Sequence, residues 1–480
     1  MPQKDAYDAV IVGSGPNGLA AAITLQQQGL STLLIEGADT VGGGMRTKEL
    51  TLPGFKHDVC SAVHPMAMAS PFMRSLPLRE YGLAFIHPPY AAAHPLDNGE
   101  TALLYNNLQD TATDLGRDGK YYEQLIRYVV DHWETLALDT MGPLHFPKKP
   151  FQLASFGLDA LRPATWISRS FETEKGKALW AGMAAHGIQP LSNWATSAIG
   201  IVLMAVGNRY GWPIPKGGSQ SIANALLAHY QSLGGEIATD CWVGDIAQLP
   251  QHKLLMLDIT PRQLLKLKGL QLSSSYRNQL QQYRYGMGVF KVDWALSESV
   301  PFTDRRCQEA STVHLGNTYQ EIAWSEKEAH QGRVTDKPFV LFTQQSQFDS
   351  SRAPQGKHTA WAYCHVPNGS TIDMSKVIEN QVERFAPGFK DVILARSTMT
   401  SVEMETYNPN YVGGDINGGI MDIAQLFTRP TWSLTPYRTS NNAVYICSSA
   451  TPPGGGVHGM CGFHAAKVAL KDHYGINANL

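Results

Sequence analysis

The first 36 residues contain the feature that most constrains the fold. A short apolar, β-branched run from Ala9 to Val12 predicts a strand that is buried on both faces. The turn at residues 13–18 reads G-S-G-P-N-G, and a helical pattern follows that is expected to end at Gly29. A second apolar run, Thr32 to Ile35, closes on Glu36. Strand, glycine-rich turn, helix, strand and terminal acid in this order predict a Rossmann-like α/β unit.

Each part of this unit suits a dinucleotide. Gly13 allows the tight turn, Gly15 lets the backbone approach a pyrophosphate, and Gly18 lets the helix pack close to the strand. The pyrophosphate would bind N–H groups at the positive end of the helix dipole. Glu36 lies 18 residues after Gly18, close to the roughly 20 expected of an acid that binds a ribose diol. A glycine-rich turn without a ligand is the alternative, and the complete order of elements favours the dinucleotide site.

Length and composition restrict the class of protein. A chain of 480 residues is too long for one simple core, so two interleaved domains are expected. A formal net charge of −2, with 17% charged residues, gives no electrostatic reason to expect a nucleic-acid partner. The six cysteines form no C-x-x-C pair, which favours a reducing cytoplasm and predicts neither a disulfide framework nor a metal site. No cationic and apolar leader precedes the first strand.

The longest apolar stretch runs from Ala195 to Val206, well short of the roughly 20 residues that span a bilayer. Two interpretations stay open for it. One is a buried helix, and the other is the wall of an apolar substrate channel that rests on a membrane surface. Peripheral membrane contact is therefore an alternative to a wholly cytoplasmic protein.

A second glycine cluster follows the first unit and reads V-G-G-G-M-R-T at residues 41–47. Its backbone can lie against a flat or anionic ligand, and Arg46 can supply a fixed charge for a second phosphate contact. G-x-G-x-x-G with its distal Glu36, followed by Gly-Gly-x-x-Arg-Thr, is similar to flavoproteins of the phytoene-desaturase and monoamine-oxidase superfamily. The resemblance implies FAD rather than NAD. It also implies a Rossmann-like FAD-binding domain of the GR2 type with an inserted α+β substrate domain.

Residues 215–243 carry the resemblance further. Ser219 or Ser221 can cap a helix that ends at Gly234-Gly235, and a strand is expected through Ile237 and Trp242-Val243. In the superfamily the similar passage precedes the strand that contacts the adenine. The resemblance therefore implies a backbone contact from Val243.

A third cofactor segment is expected near the C-terminus. A buried strand at 443–447 leads into a loop at 448–459 that reads S-S-A-T-P-P-G-G-G-V-H-G, and a helix follows from about Met460. In the superfamily such a loop lies beside the flavin ring. A helix N-terminus at Val457 and His458 would stabilise the negative charge of reduced flavin.

Residues 1–74, 211–289 and 440–480 are thus predicted to form the FAD-binding domain, and residues 75–210 and 290–439 the substrate domain. Helices are expected around 109–139 and 171–187, and substrate-domain strands at 290–296, 339–342 and 359–365. The predicted cofactor-binding residues are Gly13, Ser14, Gly15, Pro16, Asn17, Gly18, Glu36, Gly37, Gly43, Gly44, Met45, Arg46, Val243, Ser449, Gly455, Gly456 and Val457.

His64 and His458 are the candidate catalytic residues, because both fall in loops expected at the flavin ring. For His64 a purely structural, hydrogen-bonded role stays open. The expected reaction moves a hydride between a hydrophobic, isoprenoid-like substrate and flavin N5, as a desaturase, saturase or isomerase. No second dinucleotide motif occurs, so oxygen, a quinone or the substrate itself is the expected electron acceptor.

Two other functions remain open. An amine or amino-acid oxidase would use an aromatic cage or an arginine clamp, for which Trp361, Tyr363, Tyr411 and Arg429 are candidates. The second open function is that of a non-catalytic binding protein similar to the GDP-dissociation inhibitors. The intact Glu36 and both glycine clusters argue against that last function.

Overall fold

A computed structural model describes residues 4–147, 149–426 and 428–480. These residues form 16 strands and 17 α-helices. The strands are β1 (Ala6–Val12), β2 (Thr32–Ile35), β3 (Thr47–Glu49), β4 (Lys56–Asp58), β5 (Phe85–Ile86), β6 (Tyr90–Pro95), β7 (Thr101–Tyr105), β8 (Ile214–Pro215), β9 (Glu236–Ala238), β10 (Gln251–Leu257), β11 (Gly288–Leu296), β12 (Ala310–Leu315), β13 (Val340–Thr343), β14 (His358–Val366), β15 (Ile393–Met399) and β16 (Val444–Ile446). The helices are α1 (Pro16–Gln26), α2 (Pro65–Ala69), α3 (Pro71–Ser75), α4 (Leu108–Asp114), α5 (Gly119–Thr140), α6 (Pro150–Ala160), α7 (Ala164–Ile167), α8 (Glu174–Ala185), α9 (Thr196–Tyr210), α10 (Gln220–Ser232), α11 (Pro261–Lys266), α12 (Ser274–Gln281), α13 (Tyr319–His330), α14 (Ser375–Phe385), α15 (Ser401–Tyr407), α16 (Ile423–Leu426) and α17 (Met460–Tyr474).

A five-stranded parallel sheet forms around the N-terminal unit, in the order β16-β10-β1-β2-β9. Its central strands are apolar on both faces because helices cover one side and a second apolar cluster covers the other. α1 connects β1 to β2 and packs against α10 and α17. The predicted Rossmann-like α/β fold is confirmed.

A seven-stranded mixed sheet has the order β15-β11-β14-β13-β12-β6-β7, in which only the pairing of β12 with β6 is parallel. Successive side chains along its strands point to opposite faces of the sheet, and the two faces differ in polarity. One face carries Phe290, Val292 and Trp294 and packs under α14 in an apolar core. The opposite face carries Lys291 and Asp293. The three predicted strands at 290–296, 339–342 and 359–365 are confirmed as β11, β13 and β14.

The helical predictions hold with two changes of boundary. The pattern at 109–139 is two helices, α4 and α5, separated at Gly116, whose φ of 59° interrupts α4. α1 ends at Gln26 with Gln27 as its C-cap, so Gly29 lies beyond the expected C′ position. The apolar stretch at 195–206 lies in α9, most of whose residues are buried, while its Leu203 lines a cavity, so the helix is both buried and part of an apolar cavity wall.

One predicted strand is shorter than expected. β9 ends at Ala238, and residues 239–244 form a loop that contains Val243. The chain turns at Asp240, whose φ is 55°, and the Asp240 and Cys241 N–H groups donate to the carbonyls of Ala38 and Glu36. The strand prediction for Trp242-Val243 was therefore wrong.

The parallel sheet draws its strands from three distant parts of the chain, residues 6–35, 236–257 and 444–446. The division of the chain into two domains at the boundaries given above stays a prediction. Within the described residues, none of the helices combines the length and apolar character needed to cross a membrane. Contact with a membrane surface also stays a prediction.

Candidate functional site

A cavity of about 1140 Å³ begins at the carboxyl ends of the parallel strands. There it is lined by Gly13, Glu36, Asp258 and Ser448, which follow β1, β2, β10 and β16. This edge is where ligands bind in open α/β sheets. The cavity continues to the face of the seven-stranded sheet that carries Lys291 and Asp293. The side chains that line it there are largely apolar and aromatic: Leu203, Trp212, Leu341, Trp361 and Tyr363.

Two glycine-rich loops face each other at the narrow end. A Cβ on Gly15 would lie 2.8 Å from Asp258 Oδ2, and one on Gly43 would lie 3.1 Å from Gly15 Cα. The Gly42 N–H donates to the Ser14 carbonyl (3.0 Å), which ties the second loop to the first. A Cβ on Gly18 would lie 1.9 Å from the Gly13 carbonyl oxygen, so Gly18 serves the close packing of α1. The result is a cradle in which glycine backbone at residues 13, 15, 43 and 44 lines the cavity.

Glu36 stands at the mouth of the cradle and accepts four hydrogen bonds. Its Oε2 accepts from Ser14 N–H (3.0 Å) and Ser14 Oγ (2.5 Å). Its Oε1 accepts from Ala38 N–H (3.0 Å) and Arg46 Nη2 (3.1 Å). Arg46 also donates to the Thr40 carbonyl (2.7 Å). Arg46 therefore lines the cavity with its charge already paired to Glu36, which differs from the free phosphate contact that the sequence predicts.

Asp258 is a cavity residue that sequence reasoning missed. Its Oδ2 accepts from the Gly18 N–H (2.9 Å), beneath the turn that opens α1. Burial raises the pKa of Asp258 to about 7, and the nearby charge of Glu36 acts in the same direction. The available signal was its position, because Asp258 comes directly after the apolar run Leu254 to Leu257, which is the end of β10.

Most of the predicted cofactor-binding residues line this one cavity. They are Gly13, Ser14, Gly15, Pro16, Asn17, Glu36, Gly37, Gly43, Gly44, Arg46, Val243, Ser449, Gly456 and Val457. Gly18, Met45 and Gly455 do not line it. Met45 is fully buried in the apolar core. Gly455 packs against Asn417, because a Cβ on Gly455 would lie 2.9 Å from the Asn417 Cα.

His458 does not reach the cavity. Its Nε2 contacts the Gly454 carbonyl (3.2 Å), and its Nδ1 accepts from the Met460 N–H (3.0 Å) at the start of α17. Burial lowers the pKa of His458 to about 4. Both ring nitrogens thus hold the loop to the helix, which corrects the expectation that His458 faces a bound ring.

His64 does line the cavity. Its Nε2 lies 2.8 Å from Ser219 Oγ, whose own proton goes to the Ser61 carbonyl (2.6 Å). Nε2 therefore carries the proton, and the buried Nδ1 has no partner among the described residues. Burial lowers the pKa of His64 to about 4. Ser219, one of the two predicted caps, occupies the N-cap position of α10, but its hydroxyl makes no capping bond because it bonds His64 and the Ser61 carbonyl.

A buried charged cluster behind the cavity wall was also missed. Asp58 and Arg352 are fully buried and 2.7 Å apart, and Lys291 pairs with Asp293 on β11. Burial alone would raise the pKa of Asp58, but Arg352 and donors from the backbone and Thr47 hold it below its ordinary value. The signal was the alternation in β11, which places Lys and Asp on the same face of a buried strand.

Comparisons with known proteins show which proteins this chain resembles. Residues 11–75 match the NAD(P)-binding Rossmann-like domain. Pyridine nucleotide-disulfide oxidoreductase domain-containing protein 2 of Mus musculus is 24% identical, over 98% of this chain and 94% of the relative. Phytoene desaturase (lycopene-forming) of Pantoea ananas is 25% identical, over 96% of this chain and 98% of that relative. A structure of wild-type putrescine oxidase bound to putrescine aligns with a TM-score of 0.61 at 15% identity, over 98% of this chain and 99% of the oxidase chain.

Over nearly its whole length the chain is thus similar to curated oxidoreductases that include a phytoene desaturase, and it shares its fold with putrescine oxidase. The resemblance drawn from the two glycine motifs is confirmed, and the relatives support a dinucleotide cofactor for this oxidoreductase.

The structure separates the four residues considered for an amine or amino-acid site. Trp361, Tyr363 and Tyr411 line the cavity of this oxidoreductase, and the Trp361 and Tyr363 rings pack edge to face with centroids 5.1 Å apart. Arg429 is buried elsewhere, where it donates to Tyr283 Oη (3.1 Å) and the Ser449 carbonyl (2.7 Å). Arg429 is therefore not positioned to bind a substrate carboxylate.

Proposed function

We propose that this oxidoreductase binds FAD and transfers a hydride between an apolar substrate and flavin N5, as a desaturase, saturase or isomerase. The observation that carries the proposal is the continuity of the cavity. Its glycine cradle and its apolar wall open into one space of about 1140 Å³, larger than the roughly 300–1,000 Å³ of most small-molecule sites. A dinucleotide and a substrate can therefore share it.

The residues at the narrow end fit FAD. The backbone at Ser14 to Asn17 would hold the pyrophosphate at the start of α1, where the glycine loops come so close that a Cβ on Gly43 would lie 3.1 Å from the Gly15 Cα. Glu36 would bind the ribose in exchange for the hydrogen bond from the Ser14 hydroxyl, and the Val243 backbone would bind the adenine. Gly456 and Val457 would lie beside the flavin. When bound, FAD supplies the atom that donates or accepts the hydride.

The wide end supports an apolar substrate. Leu203, Trp212 and Leu341 offer dispersion contacts and exclude water. The carboxylates among the described lining residues are Glu36, Asp258 and Glu405. Two of them lie at the glycine cradle, and the third is paired with Arg262 (3.3 Å), so a cationic group at the wide end would find no free counter-charge.

Flavin absorbance tests the cofactor. Purified protein, after addition of FAD, is expected to show bound-flavin bands. Glu36→Gln is expected to weaken FAD binding about 10-fold to 100-fold, since a hydrogen bond to a charged group contributes about 1.5–3 kcal/mol. Glu49→Gln, on the exposed end of β3, is the matched control and should bind FAD normally. A protein that takes up no flavin would contradict the proposal.

Anaerobic mixing tests the substrate. Bleaching of bound flavin by an isoprenoid would support oxidation of an apolar substrate, and reoxidation of reduced flavin by an unsaturated isoprenoid would support the saturase reaction. The Trp361–Tyr363 pair favours an amine oxidase as the second candidate. Hydrogen peroxide release on a panel of amines, with no response to isoprenoids, would support that function instead.

A further inference from the structure

Asp258 lies at the glycine cradle, beside the start of α1. Its Oδ2 accepts from the Gly18 N–H (2.9 Å) and would lie 2.8 Å from a Cβ on Gly15. A Cβ on Gly13 would lie 3.1 Å from the Cβ of Asp258. Asp258 lines the cavity and contacts the same turn whose backbone would hold the pyrophosphate of FAD. A carboxyl group thus stands where an anion of the cofactor would bind.

The groups that face Asp258 offer its charge no counter-charge. Among the described residues, the β1–α1 turn contributes only backbone donors, and no lysine or arginine pairs with Asp258. Glu36, which follows β2, brings a second negative charge and is itself paired with Arg46 (3.1 Å). Cys447 follows β16 and Cys461 lies on α17. Burial raises the pKa of both thiols, so both are neutral at neutral pH.

These surroundings hold a proton on Asp258 more tightly than water would. Burial raises the pKa of Asp258 to about 7, and the charge of Glu36 acts in the same direction, while the N–H groups of Gly18 and Gly15 oppose both. The neutral and the ionised carboxyl group are therefore both populated in the free protein near neutral pH. An anion that binds at this turn acts on the equilibrium between the two forms.

Bound FAD would shift that equilibrium. Its pyrophosphate is negatively charged at neutral pH and would share the turn at Gly15 with the Asp258 carboxyl group. Two negative charges repel each other more strongly in a cavity of low dielectric constant than in water, whereas a neutral carboxyl group does not repel the pyrophosphate. FAD would therefore bind more tightly to the protein in which Asp258 is protonated.

We propose that Asp258 enters the FAD complex as the neutral acid, so that binding of the cofactor takes up one proton from the solvent. The proposal rests on the proposed function and adds a further residue to the same cofactor site. The pyrophosphate keeps its own charge, because the proton goes to a carboxyl oxygen. Well below pH 7 the proton is already in place and the FAD affinity is constant. Above pH 7 the affinity falls by up to about tenfold per pH unit, because the proton must first be taken up.

The dependence of FAD affinity on pH tests the proposal. Protein freed of bound cofactor is titrated with FAD at constant ionic strength, and quenching of the flavin fluorescence gives the dissociation constant. We expect this constant to be about 10-fold to 30-fold larger at pH 8.5 than at pH 6.0, as proton uptake by a group with a pKa near 7 requires. Calorimetry at pH 8 in two buffers of different ionisation enthalpy should show uptake of about one proton per FAD. A dissociation constant that does not rise with pH would overturn the proposal.

Asp258→Asn separates the charge of this residue from its packing. The amide is neutral at every pH, and its oxygen can still accept from the Gly18 N–H. The FAD dissociation constant of this variant should change less than about threefold between pH 6.0 and pH 8.5 and stay near the wild-type value at pH 6.0. Equal weakening at both pH values, or a rise as steep as in the wild type, would overturn the proposal.

Asp118→Asn is the matched control. Asp118 is also buried and accepts from two backbone N–H groups, those of Glu172 (2.6 Å) and Thr173 (3.0 Å), but it does not line the cavity. This variant should keep the pH dependence of the wild type. Loss of the pH dependence in Asp118→Asn as well would overturn the assignment of the proton to Asp258.

Infrared spectroscopy covers the case in which Asp258→Asn fails to fold. When FAD is added to wild-type protein at pH 8, the difference spectrum should gain the C=O band of a protonated carboxyl group, and labelling with ¹³C-aspartate should shift that band. Absence of the band would overturn the proposal. The outcome is distinguishable from that of the proposed function. Equal FAD affinity at pH 6.0 and pH 8.5 would keep the cofactor and exclude the proton uptake, whereas no FAD binding at either pH would contradict both.

Discussion

The two large sheets contribute to the cavity in different ways. The parallel sheet is apolar on both faces and offers functional groups only where its strands end, at Gly13, Glu36 and Asp258. The seven-stranded sheet offers groups along its strands, because one of its faces is the cavity side and the other is an apolar core. The first arrangement concentrates function in short loops, and the second spreads it over strands that are far apart in sequence.

The buried Asp58–Arg352 pair is the strongest test of the polar side of the second sheet. Arg352→Met leaves the fully buried Asp58 without its counter-charge and is expected to lower the free energy of unfolding by about 3–5 kcal/mol. Arg162→Met breaks the exposed pair with Asp159 and should cost about 1 kcal/mol or less. Urea denaturation measures both, and equal losses would show that burial does not distinguish the two pairs.

A test of similar kind applies to the loop of the parallel sheet. Gly18→Ala places a Cβ 1.9 Å from the Gly13 carbonyl oxygen, so α1 must move from β1. We expect a loss of roughly 3 kcal/mol in the free energy of unfolding. Gly157→Ala, in α6 with no neighbouring atom within 4 Å, is the control and should change it by at most about 1 kcal/mol. A Gly18→Ala protein as stable as wild type would contradict the packing role.

The dependence of stability on pH should have opposite signs for the two sheets. His94 on β6 has a pKa of about 4 when folded, chiefly through burial, against 6.5 ordinarily. Between these values the unfolded state binds more protons, so His94 makes stability fall as pH falls, by up to about 1.4 kcal/mol per pH unit. Asp258 has a pKa raised to about 7 by burial, against 3.8. The folded state then binds more protons, so Asp258 makes stability rise as pH falls.

Denaturation of His94→Gln and Asp258→Asn between pH 7 and pH 5 separates these contributions. Compared with wild type, His94→Gln should lose less stability on acidification, and Asp258→Asn should lose more. If the free energy of unfolding of a variant changes with pH as that of the wild type does, the substituted residue has the same pKa in the folded and unfolded states.

The smallest changes in the free energy of unfolding are expected from β12, when a polar residue is placed on its apolar face or an apolar residue on its cavity face. Val313→Thr adds a hydroxyl to the apolar core under α14 and is expected to cost about 1–2 kcal/mol. Thr312→Val, on the cavity side, should change the free energy of unfolding by about 0.5 kcal/mol or less. If Thr312→Val cost more stability than Val313→Thr, Thr312 rather than Val313 would lie in the apolar core.

The parallel sheet and its glycine loops were predictable because their signals are local. β1, α1, β2 and Glu36 fall within one short segment, and Gly18 acts on Gly13 in that segment, although Gly13 and Gly15 also make room for Asp258 at the end of β10. The C-terminal strand and helix repeat the same local pattern. Fold class and most of the predicted cofactor residues follow from this alone.

The polar face of the second sheet was not predictable from spacing. His94 and His314 come from two separate elements, and only the pairing of β12 with β6 brings them together. His458 shows the converse case. Its loop was recognised, but whether the ring turns to the cavity or to the helix depends on the Met460 N–H, which sequence patterns do not reveal.

The order of the parallel sheet also bears on synthesis. β1 and β2 are made first, yet their outer neighbours β10 and β9 are made some 200 residues later, and β16 only near the end of the chain. Until then both edges of the β1–β2 pair lack a partner strand and expose apolar side chains, a state that favours aggregation. Truncated chains that end before β9 are therefore expected to be insoluble, whatever the stability of the finished protein.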